Sequence, residues 1–99
     1  MTINIQFVNL DYSDSLAAHT TERLKKMAEK YDWLISADVF FKEEGNEPEK
    51  GKICNIKLSA PGPQIFATSD EKNYEMAVKE TISDLEIQLK KRKQTYKTY

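Results

Sequence analysis

Cysteine, histidine and tryptophan occur once each in this chain, and glycine and proline three times each. Each scarcity excludes something. Cys54 alone can form no internal disulfide, so a reducing cytoplasm is the expected compartment. One cysteine and one histidine cannot supply the four ligands of a zinc site. Gly45, Gly51 and Gly62 fall in turn-like stretches and build no phosphate-cradling loop. The carboxylates between 43 and 49 lack the calcium-loop spacing. No apolar run approaches the ~18 residues of a membrane span; the densest cluster is Val39-Phe40-Phe41. The opening MTINIQFVNL has neither a basic n-region nor a long apolar stretch, so no secretory signal is read. The reading is therefore no membrane, no cofactor and no small-molecule substrate.

Catalysis is equally thin. Cys54 alternates with Ile56 and Leu58, which places its thiol in a core, where apolar surroundings suppress the nucleophilic thiolate. His19 has no serine, cysteine or carboxylate pair at a catalytic spacing and reads as a surface or core-edge residue. Glu80 and Asp84 stand four apart on a helical pattern, as ordinary surface residues do. A non-enzyme is expected.

What the chain does have is charge in an uneven arrangement. Its formal net charge is −1. Five of the fifteen basic side chains, Lys90, Lys91, Arg92, Lys93 and Lys97, lie in the last ten residues, which hold no carboxylate side chain. Residues 1–89 are left with ten basic and sixteen acidic side chains.

The apolar periodicity gives the frame. TINIQFVN alternates with a period of two, Ile3, Ile5 and Phe7 on one side, and predicts a half-buried strand over 2–9. Ser13 is a good N-cap for a helix over 14–31 whose inner face carries Leu16, Thr20, Leu24, Met27, Ala28 and Tyr31. His19, Arg23, Lys26 and Lys30 fall beside that face. Strands follow over 34–43 and 52–60, joined by the glutamate-rich loop EEGNEPEKGK. After Pro61-Gly62-Pro63 a short strand, QIFATS, is expected, then a helix capped by Ser69 or Asp70. Its stripe, Tyr74, Ala77, Val78, Thr81, Ile82, Leu85 and Leu89, stops at 89, while helix-forming residues continue through KKRKQ as a charged extension. The order β-α-β-β-β-α predicts an α+β, two-layer sandwich: a four-stranded sheet with both helices on one face and the first two strands parallel.

Two surfaces could carry a function. The consecutive cations Lys90, Lys91, Arg92 and Lys93 wrap round a helix; with Arg23, Lys26 and Lys30 they could merge into one phosphate-binding ridge. The blander reading is a solvated helix end that complements its own dipole. Tyr96 and Tyr99 could stack on unpaired bases, but a disordered end is the preferred reading. The second surface is the open face of the sheet, where alternation exposes Phe40 and Phe66 beside Lys42 and Lys57. Such aromatics resemble the stacking platform of RNA-recognition motifs, although that fold has a different element order. A protein-interaction or dimerisation face is the alternative.

The element order, together with SDEKNYEMAVKETISDLEIQLKKRK, resembles the ribosome hibernation-promoting factor family, which includes the ribosome-associated inhibitor and the sigma-54 modulation protein. The likeness covers about residues 2–94. The family's alanine, leucine, Q-L pair and K-x-K fall on Ala77, Leu85, Gln88-Leu89 and Lys91-x-Lys93, and its first-helix leucine and spaced lysines on Leu16, Arg23 and Lys26. Asp84 stands where the family often has a lysine, and Asn73-Tyr74-Glu75 where it often has aspartate-methionine-tyrosine. The resemblance is to the short form and implies one ribosome-binding domain over 1–94; residues 95–99 are expected to be a flexible tail. It also implies that the basic residues of both helices contact ribosomal RNA of the small subunit. The protein would occupy the channel for mRNA and tRNA and inhibit translation in stationary phase.

Overall fold

The alternating and helical segments fold in the expected order. The computed structural model describes residues 1–96: β1 Thr2–Phe7, α1 Asp14–Lys30, β2 Ser36–Glu43, β3 Lys52–Ser59, β4 Ile65–Glu71 and α2 Tyr74–Tyr96. The strands form one sheet in the order β1-β2-β3-β4, with β1 parallel to β2 and the other pairs antiparallel.

Alternation decides which side chains meet the helices. Ala37, Val39 and Phe41 of β2, Cys54, Ile56 and Leu58 of β3, and Ile65 and Ala67 of β4 lie on the covered face, each less than 4 % exposed. Leu24 and Met27 of α1 and Val78, Leu85 and Leu89 of α2 close over them. Ile3, Ile5 and Phe7 of β1 are half-buried, as befits an edge strand at the margin of the helical layer. Two threonines sit inside this apolar layer, and each hydroxyl donates to the carbonyl four residues back: Thr20 to Leu16 at 2.8 Å and Thr81 to Ala77 at 2.7 Å. That bond satisfies the hydroxyl without importing a polar partner.

The core also explains Cys54. Burial drives its thiol pKa from 9.0 up to about 12, a rise partly opposed by a hydrogen bond from Thr81. It is a packing residue.

The caps divide. Ser13 caps α1, its Oγ accepting from the Leu16 amide at 3.3 Å. Ser69 and Asp70 do not cap α2. Both belong to β4, where they pair with Cys54 and Ile53, and the ladder continues to Glu71 opposite Lys52. The β-bonding potential of β3 extends the strand past the point where local sequence offers a cap. Asn73 takes the role, its Oδ1 accepting from the Met76 amide at 2.8 Å.

At the other end α2 runs through Tyr96, two residues into the segment expected to be a flexible tail. Lys97–Tyr99, the remainder of that segment, lie outside the described residues. None of the described helices is long and apolar enough to cross a membrane.

Candidate nucleic-acid interface

Strand direction separates the charges before any side chain is considered. The β2–β3 hairpin carries Glu43, Glu44, Glu47 and Glu49, and Glu71 and the start of α2 lie at the same end. Tyr74, the first residue of α2, donates its hydroxyl to the carbonyl of Lys42. The pKa of that hydroxyl is raised, first by burial and then by the Glu43 charge. The 23-residue α2 then runs to the opposite end, where Arg92 reaches the β3–β4 turn and Tyr96 meets Trp33 of the α1–β2 loop. The longest dimension of the molecule is 49 Å. A rise of about 1.5 Å per residue makes α2 about 35 Å of it.

The acidic end is partly neutralised by its own lysines. Lys52 pairs with Glu43 at 2.6 Å, and Lys42 with Glu44 at 3.2 Å.

At the basic end the expected site residues divide by helical spacing. Steps of four and three from Glu86 give Lys90 and Lys93, so these share the flank that faces α1. Two contacts fix that flank. Lys30 of α1 reaches Glu86 at 3.3 Å, and Lys93 Nζ lies 5.8 Å from the ring centroid of Tyr31, which caps α1. Lys91 points to the outer side of α2. Lys90 and Lys91 are exposed, and neither forms an ion pair among the described residues.

Arg23, Lys26 and Lys30 are brought together as expected. They line a groove of 450 Å³ between the helices with His19, Glu22, Met27, Ile82 and Glu86. Two of the three are engaged, Lys26 by Glu22 at 3.4 Å and Lys30 by Glu86. The Lys26 and Glu22 side chains are about 70 % exposed, and such a pair contributes only about 0–1 kcal/mol. A phosphate can therefore replace Glu22 on Lys26 at little cost. Arg23 forms no ion pair among the described residues.

Arg92 departs from the expected ridge. It folds back onto the β3–β4 turn, Nη1 donating to Pro61 O at 3.1 Å and Nη2 to Pro63 O at 2.8 Å. The sequence reading also missed Glu22 and Glu86 as partners of the α1 lysines, and Trp33, whose ring meets Tyr31 and Tyr96 edge-on. The Glu22–Lys26 pair was legible as a four-residue helical step; Lys30 and Glu86 are 56 residues apart and their pairing was not. Tyr96, expected either to stack on unpaired bases or, preferably, to lie in a disordered end, instead packs with its ring centroid 4.9 Å from that of Trp33. Tyr99 lies outside the described residues.

The open sheet face is mainly polar. The register sets Asn4, Asp38, Lys57 and Phe66 in one row and Gln6, Phe40, Asn55 and Thr68 in the next. Asn4 donates to Asp38 at 3.2 Å, and the Thr68 hydroxyl donates to Asn55 Oδ1. Phe66 is 53 % exposed, while Phe40, on a central strand, is half-buried. No group of three or more His, Cys, Asp or Glu among the described residues could hold a metal ion.

Solved structures share this architecture. A ribosomal subunit interface protein from Coxiella burnetii superposes with a TM-score of 0.82 at 24 % identity, covering 95 % of this chain and 99 % of its own. The N-terminal domain of Thermus thermophilus Protein Y superposes with a TM-score of 0.78 at 20 % identity, covering 92 % and 98 %. At these identities the likeness establishes the fold. No curated protein matches by sequence. The family model described as Sigma 54 modulation protein / S30EA ribosomal protein matches residues 3–97. With nearly the whole chain matched, the protein belongs to the sigma-54 modulation protein / S30EA ribosomal protein family.

Proposed function

We propose that the protein is a non-catalytic factor that binds the small ribosomal subunit and lodges in the channel for mRNA and tRNA. There it inhibits translation in stationary phase. The carrying observation is the unpaired basic end: Lys90 and Lys91 are exposed and form no ion pair among the described residues, while the acidic hairpin at the far end is partly neutralised by its own lysines. A polyanion gripped at one end leaves the acidic end facing away from phosphate. Lys90 and Lys93 extend the line of the α1–α2 groove, so that Arg23, Lys26 and Lys30 add phosphate contacts to the same surface. Each phosphate engaged releases counterions, which supplies affinity without reading sequence. The body of the domain then excludes other occupants by volume alone. Family membership and the fold shared with a ribosomal subunit interface protein support this reading.

The test is co-sedimentation with purified small subunits on sucrose gradients. Reversing Lys90 and Lys91 to Glu changes two side chains that hold no ion pair in the described fold, so melting should fall only slightly, through the like charge on Glu86 and the helix dipole. The variant should leave the small-subunit peak at moderate salt. Normal co-sedimentation of the folded variant would remove the proposed interface. A Phe66→Ser change, by contrast, should leave binding intact; if it alone abolished association, the open sheet face would be the docking surface.

A further inference from the structure

The core stripe of α2 does not end at Leu89. Steps of three and four residues carry it on to Arg92 and Tyr96, beyond the last apolar partner that the sheet provides. Both side chains land on the β3–β4 turn. The Arg92 guanidinium forks onto Pro61 O and Pro63 O, and the Tyr96 hydroxyl donates to Pro61 O as well. Proline carries no N–H, so two of the three turn residues offer only acceptors, and a planar cation with two diverging donors suits them. The turn is shaped for this approach. Gly62 has φ +98°, and a Cβ there would stand 3.2 Å from Arg92 Nη1. Trp33 closes the other side, packed edge-on against the Tyr96 ring.

A helix end held by few apolar contacts frays in water. Lys90, Lys91 and Lys93 occupy such an end, and a frayed end must be ordered when it binds, at a cost in affinity. We infer that Arg92 is a positioning residue and not a phosphate ligand: with Tyr96 it latches the last turns of α2 to the Pro61–Pro63 turn. The latch presents the three lysines in a fixed array before any polyanion arrives. This rests on the proposed RNA-binding role only for its consequence; the latch itself is a property of the free protein.

Two measurements on the full chain judge it, with Arg92→Gln, Arg92→Lys and Lys90→Gln as variants and thermal melting to confirm that each folds. The first is amide hydrogen exchange of the free protein over residues 90–96. Arg92→Gln and Arg92→Lys should both exchange about tenfold faster there, since a lysine cannot make the fork; Lys90→Gln should match the parent. The second is the salt dependence of binding to small subunits. Both Arg92 variants should bind about tenfold more weakly with the slope of log K against log salt unchanged. Lys90→Gln should lower that slope by about 0.7–0.9, the signature of one lost phosphate. Unchanged exchange in Arg92→Gln overturns the latch. Full affinity in Arg92→Lys, or a reduced slope in Arg92→Gln, makes Arg92 a phosphate ligand instead. If Lys90→Gln and the double charge reversal both bind as the parent does, the ribosome reading falls, while the exchange data still decide the latch.

Discussion

The two ends of α2 handle charge in opposite ways. At its start, two of the four glutamates of the β2–β3 hairpin find lysines on the same hairpin, Lys52 for Glu43 and Lys42 for Glu44. At its finish, Lys90 and Lys91 find no carboxylate among the described residues, and Lys93 rests on the Tyr31 ring. Under the proposed function, this contrast would let a protein with formal net charge −1 engage a polyanion. What matters is which charges remain uncompensated and where, not their sum. Placing opposite signs at opposite ends of a 49 Å molecule would also orient its approach to the proposed phosphate surface.

The contrast can be tested by experiment. The largest effect should come from removing the last apolar anchor beneath the basic end. Leu89→Ala empties a fully buried site and should cost about 2–5 kcal/mol in urea unfolding. Ile87→Ala, on the exposed side of the same turn, should cost almost nothing.

Salt should separate the two ends next. Raising salt from about 50 to 200 mM should weaken small-subunit binding about a hundredfold if roughly four phosphates are engaged. Changing Glu44, Glu47 and Glu49 to Gln should leave both the affinity and that slope within twofold. An equal loss from the acidic end would abolish the distinction.

Cys54 provides a control inside the core. Its pKa is raised in the folded state, so the folded protein favours the neutral thiol. The corresponding stability is fully present below pH 9 and declines as pH rises from 9.0 towards about 12, at about 1.4 kcal/mol per pH unit once the unfolded thiol is ionised. A Cys54→Ala variant should show a shallower alkaline loss in denaturant titrations between pH 9 and 11.

Asn73→Ala should cost about 1 kcal/mol by removing the cap at the acidic end, with binding unaffected. The smallest effect belongs to Lys30→Ala, where the Lys30 side chain is 61 % exposed and its pairing with Glu86 contributes about 0–1 kcal/mol to thermal stability. Its salt slope should still fall if the groove takes phosphate.

Much of the fold was legible. The alternation of Ile3, Ile5 and Phe7, and the three- and four-residue steps from Leu16 to Met27, report a local periodicity that the tertiary structure simply uses. The α2 cap was misread because Ser69 and Asp70 are good caps in isolation. Only the pairing with β3 shows that their backbone is engaged elsewhere. The candidate site was less legible than the fold. Arg23, Lys26 and Lys30 could be assigned to one flank of a helix, but nothing in their spacing showed that Glu86 would face Lys30. Arg92 looked like its neighbours in a run of four cations. Its place on the core stripe, three residues after Leu89, was the available signal that it turns inward.

The sequence alone settled the element order, most of the inner face of each element and the gathering of positive charge at one end of the last helix, because these follow from neighbours a few residues apart. The tertiary structure alone decided which of those charges stay free. A lysine or arginine side chain reaches several ångströms from its backbone, so its partner is chosen by whatever the fold brings near. For Arg92 that is a turn about thirty residues away, and for Lys30 a glutamate 56 residues away.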